Sequence, residues 1–442
     1  MKRTSLIGHI IELYVLTQRN HRAPDVMADE FFRSHRYLGS HDRRFIAEAV
    51  YGMIRYQLRL SRILQDVFEK IHSGASIRSR AFLTYVAYLI SVRRENIASI
   101  ADGLQSIWDV MYPNRSLYDL LETIEHRANA IQVGQSIASQ LAERYSFPEW
   151  FVDSLIRQHG AEWTEAFLDA SNQSAPVTIR VNVNRFRVDE VQAKLRAYGI
   201  TSKRTPYSPF GLTLEKRVNL ESLPLFKEGA FEVQDEGSQL VLLLASPLPD
   251  ARVLDACAGT GGKTLGLLTL MTAGGTIVAT DVSQNRLSIL KRRLARAGLS
   301  ESQCVRVSDA NGVDGVFDVV FIDAPCSGLG TVRRNPWLKN VVTEETVNAF
   351  HRLQLSILNE RAGNVRHGGR LVYVTCTVTP VENESVVEEF LSSHPEYRIV
   401  PAGDVLDGFG LRSLAADQFL RLYPHVHSTD GFFGAVLERD ER

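Results

Sequence analysis

Apolar residues recur at three- and four-residue intervals through roughly the first 150 positions, the period of helices that turn one face to a core. LIGHIIELYVLTQ, DRRFIAEAVYGMIRYQLRLSRILQDVFEKI and SRAFLTYVAYLISVRR all read this way, and strand-like alternation is scarce between them. The pattern changes near residue 176. PVTIRVNVNRF reads as a strand, VDEVQAKLRAYGI as a short amphipathic helix ended by Gly199, and GLTLEKRV and GAFEVQDEGS as further strands. From residue 236 short apolar runs alternate with helical segments: ARVLDACAG, GTIVATDV, QCVRVSDA, FDVVFIDAP, GGRLVYVTCT and a closing GFFGAVLE. Such alternation specifies a largely parallel sheet with helices on both faces. The expected organisation is therefore an all-α region at 1–145, linker helices and a small α/β subdomain at 146–235, and a doubly wound α/β domain at 236–442. No short internal repeats or low-complexity linkers interrupt it.

Composition narrows the class. The chain has 442 residues, 44% hydrophobic and 23% charged, with a formal net charge of −1. No apolar run approaches the roughly 20 residues of a membrane helix. The opening MKRTSLIGHIIELYVL is interrupted by His9 and Glu12 and is followed by no small-residue cleavage site, so a signal peptide is not expected. The cysteines are Cys257, Cys304, Cys326 and Cys376, with no CxxC pair, and the twelve histidines show no ligand spacing. Neither a metal site nor a disulfide scaffold is expected, and a reducing cytoplasm fits. Residues 1–160 carry 18 Arg and only 2 Lys. The charge excess is modest, but guanidinium groups fork onto phosphates. Arg43, Arg44, Arg55 and Arg59 are thus candidate phosphate contacts, the alternative being a helical bundle with solvated arginines.

The stretch DACAGTGGKT (255–264) looks at first like a phosphate-binding loop, with FDVVFIDAP as its magnesium strand. That loop requires G-x-x-x-x-G-K-[ST], and the first glycine position is Cys257. Asp255 at the strand end would repel a triphosphate. The next strand ends at Asp281, 18 residues after Lys263, about the offset at which an α/β nucleotide fold sets an acid on ribose hydroxyls. A third strand ends at Asp309. Each acid alone could be a helix cap; three at successive strand ends fit a ligand with a sugar, an adenine edge and a positive charge, as in S-adenosylmethionine.

DAPCSGLG sets Cys326 just past a buried strand, and YVTCT sets Cys376 at the end of another. Cys304 reads as a buried hydrophobe within a strand. The other two fall where the sheet edge faces the ligand, among polar neighbours that include Asp323, Ser327, Thr375 and Thr377. A thiolate beside a methyl donor suits methylation of a pyrimidine carbon. Carbon 5 of cytosine becomes nucleophilic only after a thiolate adds to carbon 6.

These residues resemble the RNA (cytosine-5)-methyltransferases, in particular the bacterial branch acting on small-subunit ribosomal RNA. DACAGTGGKT, TDVSQNRL, DAPCSGLGTVRRNPWLK, LVYVTCTVTPVENE and DGFFGAVL stand in the family's order. PVTIRVNVN and FEVQDEGSQL are similar to its upstream segments, and LGSHDRRFIAEAVYGMIRY is similar to its NusB-like RNA-binding domain. The resemblance implies a Rossmann-like class I S-adenosylmethionine-dependent core, preceded by an RRM-like subdomain and a NusB-like all-α domain. It also implies an RNA partner; a monomer is expected. It places the loop Cys257, Ala258, Gly259, Thr260, Gly261, Gly262, Lys263 under the methionine part of the cofactor. Asp281 takes the ribose, Asp309 lies near the adenine, and Arg286 lines the cofactor site. Asp323 faces the methyl group and the cytosine, Cys376 is the nucleophile, and Cys326 assists release. Two positions depart from the family pattern: Thr260 stands where a proline is usual, and Thr377 where a serine is usual. Three other readings compete. One is a DNA cytosine-5 methyltransferase using Cys326 as nucleophile, another a non-catalytic ribosome-assembly factor, and the third an NTPase.

Overall fold

The computed structural model describes residues 3–19, 23–71, 76–113, 115–130, 136–271, 275–299, 305–309, 313–415 and 417–441. They form two compact units: residues up to Asn172 together with Asn335–Val341, and Gln173–Arg334 together with Val342 onward. Cys304 lies outside the described residues.

The first unit is helical throughout. Four of its helices begin on a side-chain cap, where Ser76, Asn96, Ser116 and Ser136 each accept a backbone N–H from the first turn. The helix Ile77–Ser91 is buried along most of its length. Phe82, Tyr85 and Val86 on it pack in one core with Ile7, Ile10, Met53 and Trp108. This compact unit runs on to Asn172, and its helices Glu149–His159 and Ala161–Asn172 bury Phe151, Leu155, Phe167 and Leu168. Asn172 closes the unit by donating from Nδ2 to the Tyr145 carbonyl at 2.8 Å. Trp337, quoted above in a catalytic-domain motif, packs against this helical core.

Two expectations about this unit change. Arg55 donates to the Asn172 carbonyl at 2.6 Å, and Arg59 donates to the carbonyls of Arg144 and Ala128. Arg43 donates to the Leu38 carbonyl, while Arg44 pairs with Glu48 at an exposed i,i+4 position. Arg43, Arg55 and Arg59 therefore each donate to main-chain carbonyls of their own unit. Two of the twelve histidines also come together in space. His9, Glu12 and His35 place ligand-type atoms within 4.8 Å of one another, because the end of the second helix returns beside the first. Their sequence spacing hides this. No described helix is long and apolar enough to cross a membrane.

The second unit holds two sheets. The smaller is antiparallel, β1 (Val177–Val181), β2 (Ser202–Arg204), β3 (Gly211–Leu214) and β4 (Phe231–Val233), in the order β2-β3-β1-β4. The larger comprises β5 (Arg252–Asp255), β6 (Thr276–Asp281), β7 (Val305–Asp309), β8 (Phe317–Asp323), β9 (Val365–Thr375), β10 (Tyr397–Val400), β11 (Leu420–Leu422) and β12 (Phe432–Arg439). Its order is β10-β12-β9-β8-β5-β6-β7, with β11 on β12. β9, β8, β5, β6 and β7 run parallel, and β12 is antiparallel to its neighbours. The chain winds outward from β5 through β6 to β7, then restarts at β8. The reversal between β5 and β8 opens a crevice at the carboxyl ends of the strands, the usual ligand position in such sheets.

The small sheet is fixed to this crevice by a buried arginine. Arg180 on β1 donates to the carbonyls of Leu265 and Gly262 and to Gln234 Oε1. Burial lowers its pKa to about 10. Those carbonyls belong to the helix Gly262–Leu270, which starts at the glycine loop.

Candidate active site

The loop after β5 is held from below and from the side. Asp255 is buried and accepts Thr264 Oγ1–H at 2.7 Å, and burial pushes its pKa up to about 7. It therefore supports the loop rather than facing a ligand. Asp281 is also mostly buried, and its two oxygens accept the N–H groups of Gly259 (3.0 Å) and Ser283 (2.8 Å). Arg286 lies 3.7 Å from the same carboxylate and is 60% exposed. Asp309 is exposed at the end of β7 and is the register partner of Asp281. Ala258 donates to the Thr280 carbonyl, and Gly261 donates back to the Ala258 carbonyl. Gly259 and Gly261 both hold positive φ, +56° and +87°.

The threonine at 260 is tied down by its neighbours. Arg293 Nη1 donates to Thr260 O at 3.1 Å and to Thr260 Oγ1 at 3.0 Å. Glu232 on β4 in turn binds Arg293 and Arg296. A cavity of about 390 Å³ opens above the loop, lined by Gly259, Lys263, Asp323, Gln234, Arg334 and Asp430 among others. Arg334 bridges Asp235 at 2.8 Å and Asp430 at 2.6 Å.

Lys263 and Asp323 meet across the crevice, Nζ to Oδ2 at 2.7 Å. Burial alone would lower the Lys263 pKa; the Asp323 carboxylate, with Cys376 and Asp255 beyond it, more than offsets this and keeps the ammonium charged. A lysine committed to a carboxylate above another buried acid is a poor triphosphate ligand, which removes the NTPase reading.

Beyond Asp323 the two cysteines converge. Cys326 Sγ and Cys376 Sγ lie 3.3 Å apart. The Cys326 thiol is pushed well above its ordinary range by the hydrogen bond to Cys376, by burial, and by the negative charges of Cys376 and Glu382. Burial pushes the Cys257 thiol up to about 12, so it is a loop-packing residue. The end of β9 is pinned by close backbone approach. Gly330 N–H donates to the Cys376 carbonyl at 3.0 Å, and a Cβ on Gly330 would lie 2.7 Å from that oxygen.

Beneath the cysteines sits a residue that motif reading quoted but gave no role. Glu382 is fully buried in the turn Pro380–Glu382. Oε1 accepts Ser327 N–H at 2.8 Å and Gln354 Nε2–H at 3.2 Å. Oε2 accepts the hydroxyls of Ser327 (2.6 Å), Thr379 (2.8 Å) and Thr377 (3.3 Å). Only its place in LVYVTCTVTPVENE, next to a cysteine, could have drawn attention to it. Arg180, Arg293 and Glu232 carry no sequence signal, since each reaches the loop from far along the chain.

Two family models match the chain: "16S rRNA methyltransferase RsmB/F" over residues 241–438, and "Methyltr_RsmF/B-like, ferredoxin-like domain" over residues 147–221. The probable ribosomal RNA small subunit methyltransferase B of Synechocystis sp. is 31% identical, covering 94% of this chain and 95% of that one. The ribosomal RNA small subunit methyltransferase B of Vibrio cholerae is 30% identical over 90% of each. The crystal structure of PH0851 superposes with a TM-score of 0.76 at 28% identity, over 98% of both chains.

Proposed function

The chain belongs to the RsmB/F family of 16S rRNA methyltransferases, and on that premise we propose that it methylates carbon 5 of a cytosine through a covalent adduct on Cys376. Its methyl donor is S-adenosylmethionine and its substrate class is ribosomal RNA. The glycine loop and the Asp281 side of the crevice hold the cofactor, with Asp309 beside the adenine and Arg286 at the rim. S-adenosylmethionine supplies an electrophilic methyl on a sulfonium.

The observation that carries the reading is the asymmetry around two sulfurs 3.3 Å apart. The Lys263 ammonium acts on Cys376, whereas the Glu382 carboxylate acts on Cys326. An opposite charge favours a thiolate and a like charge disfavours it. The raised Cys326 thiol keeps its proton and donates it toward Cys376, the sulfur assigned here as the nucleophile. Cys376 adds to carbon 6, and the carbon 5–carbon 6 π electrons become available at carbon 5. Asp323, held by Lys263, would accept the exocyclic amine of the cytosine, and the Lys263 ammonium beside it would offset the charge that addition places on the ring. Carbon 5 would then take the methyl that S-adenosylmethionine supplies, with the sulfonium electron pair left on its sulfur. The carbon 5 proton then passes to water, its bonding pair re-forms the double bond, and the carbon 6–sulfur pair leaves on Cys376. The Cys326 S–H receives that departing thiolate, which makes it the group that releases product.

Substitution separates the roles. Cys376→Ala yields no adduct and no turnover. Cys326→Ala still adds and methylates but releases slowly, leaving protein on methylated RNA as a denaturant-resistant band on a gel. The reverse pattern transfers the nucleophile to Cys326, as in the DNA-type mechanism. Full activity in both variants ends the covalent reading.

A further inference from the structure

Glu382 touches neither the crevice nor the cavity, yet five donors from three segments converge on it. Ser327 follows Cys326 directly. Thr377 follows Cys376 directly, and Thr379 lies two residues further on. Gln354 comes from the helix Glu344–Ala362, and its Nε2 also donates to the Pro325 carbonyl at 2.9 Å. The hydroxyls of Ser327 and Thr377 lie 2.8 Å apart and join the same group. Ser327 N–H and Gln354 Nε2–H can only donate, so Oε1 must accept. The two hydroxyls nearest Oε2 supply protons toward it, which matches an acceptor-only carboxylate. Tyr373 on β9 donates to the Glu382 main-chain carbonyl at 2.6 Å, fixing the turn itself.

A fully buried carboxylate is costly unless every lone pair is engaged. A packed apolar group would serve as well if only filling were needed. Here the donors are the residues next to the two cysteines, so moving either loop breaks bonds to the same carboxylate.

We infer that Glu382 is a positioning residue for the cysteine pair, tying the Cys326 loop to the Cys376 loop so that the two sulfurs meet at hydrogen-bond distance. The inference rests on the reading of Cys376 as nucleophile. Its charge has a second consequence. The titratable and charged groups facing Cys326 are Cys376, Glu382 and Tyr373, with Asp323 on its own loop and Lys263 bonded to Asp323. After the hydrogen bond to Cys376, burial and the charge of Cys376, the Glu382 carboxylate adds to what raises the Cys326 thiol.

Glu382→Gln keeps the shape and one acceptor but removes the charge; Glu382→Ala also removes the tether. Three quantities are measured on the full-length protein: S-adenosylmethionine affinity by calorimetry, turnover on rRNA, and the pH midpoint of Cys326 alkylation by iodoacetamide. The alkylation is read on the Cys326 peptide by mass spectrometry in a Cys376→Ser background, with and without Glu382→Gln. The midpoint is expected to fall by about one pH unit, the lower end of a close like-charge effect. Turnover falls at least tenfold in Glu382→Gln while cofactor affinity stays within twofold. An unmoved midpoint together with turnover within twofold of wild type overturns the inference. Should Glu382→Ala fail to fold, the Gln variant still decides. Methylation by Cys376→Ser alone defeats the nucleophile reading instead, and so marks that failure apart.

Discussion

The two positive-φ glycines of the loop should fail in different ways when given a methyl group. Gly261 sits at φ +87°, and a Cβ there would lie 2.7 Å from Leu290 Cγ, with Leu290 Cβ and Cδ1 at 3.3 Å. Leu290 is fully buried on the helix Gln284–Arg296, so it has no solvent to retreat into. The left-handed backbone costs a non-glycine residue about 1–2 kcal/mol, and overpacking adds about 1–3 kcal/mol. Gly261→Ala should therefore destabilise the second unit by about 2–5 kcal/mol. Gly259 has φ +56° and nothing within 4 Å of its Cβ position, so only the backbone strain of about 1–2 kcal/mol applies. Gly259 lines the cavity proposed to receive the cofactor. A methyl there should lower S-adenosylmethionine affinity at least tenfold, about 1.4 kcal/mol. Urea unfolding reports the first quantity and calorimetry on the folded fraction the second. If Gly261→Ala loses less than Gly259→Ala in stability, the packing argument is wrong. If Gly259→Ala binds cofactor as wild type does, the loop does not lie under the ligand.

Three other outcomes follow from the same contacts. Gly330→Ala would drive a methyl into the carbonyls of Cys376 and Gly431, so turnover should fall at least 100-fold with cofactor affinity preserved; wild-type turnover would show that this approach does not set the nucleophile. Asp281→Ala should lower both cofactor affinity and thermal stability, since the Gly259 and Ser283 N–H groups lose their acceptor; about 1.5–3 kcal/mol is at stake. Affinity unchanged by calorimetry would move the cofactor elsewhere. Lys339 is buried in the first unit, donating to Asn172 Oδ1 at 2.8 Å with Phe147 4.1 Å away, and burial lowers its pKa well below the ordinary 10.5. Between its lowered folded pKa and the ordinary 10.5 the unfolded chain binds more protons than the folded one, so across that window this group makes stability rise with pH. Lys339→Met should flatten the pH dependence of the urea midpoint, and parallel curves for the two proteins would refute the assignment.

The strand–helix alternation and the two cysteine motifs were legible because each is local. A strand of four to seven apolar residues between turns announces itself, and so does a cysteine at a strand end. Residues acting through distant partners were not legible. Arg180 reads as one more polar position alternating along a strand, and nothing nearby tells that its guanidinium ends on carbonyls 82 and 85 residues away. Arg55 and Arg59 looked like phosphate contacts for the same reason: their carbonyl partners lie 69 to 117 residues off. Asp255 and Asp281 shared a pattern that suggested ligand contacts, but burial separated them. One lies wholly beneath the loop, and the other spends both oxygens on backbone N–H groups.

Thr260 shows how the two levels combine. Proline at that position would fix φ by its ring. A threonine leaves φ free, so the loop needs an external constraint. Arg293 supplies it by holding both Thr260 oxygens, and Glu232 holds Arg293. The departure at 260 is therefore coupled to residues 232 and 293, neither of which belongs to the glycine motif. Thr260→Pro should make the loop less dependent on Arg293, so the loss of cofactor affinity on Arg293→Ala should be smaller in the Thr260→Pro background than in wild type. A double-mutant cycle measures this directly. Strictly additive effects would mean that Arg293 supports the small sheet through Glu232 alone and leaves the loop to shape itself.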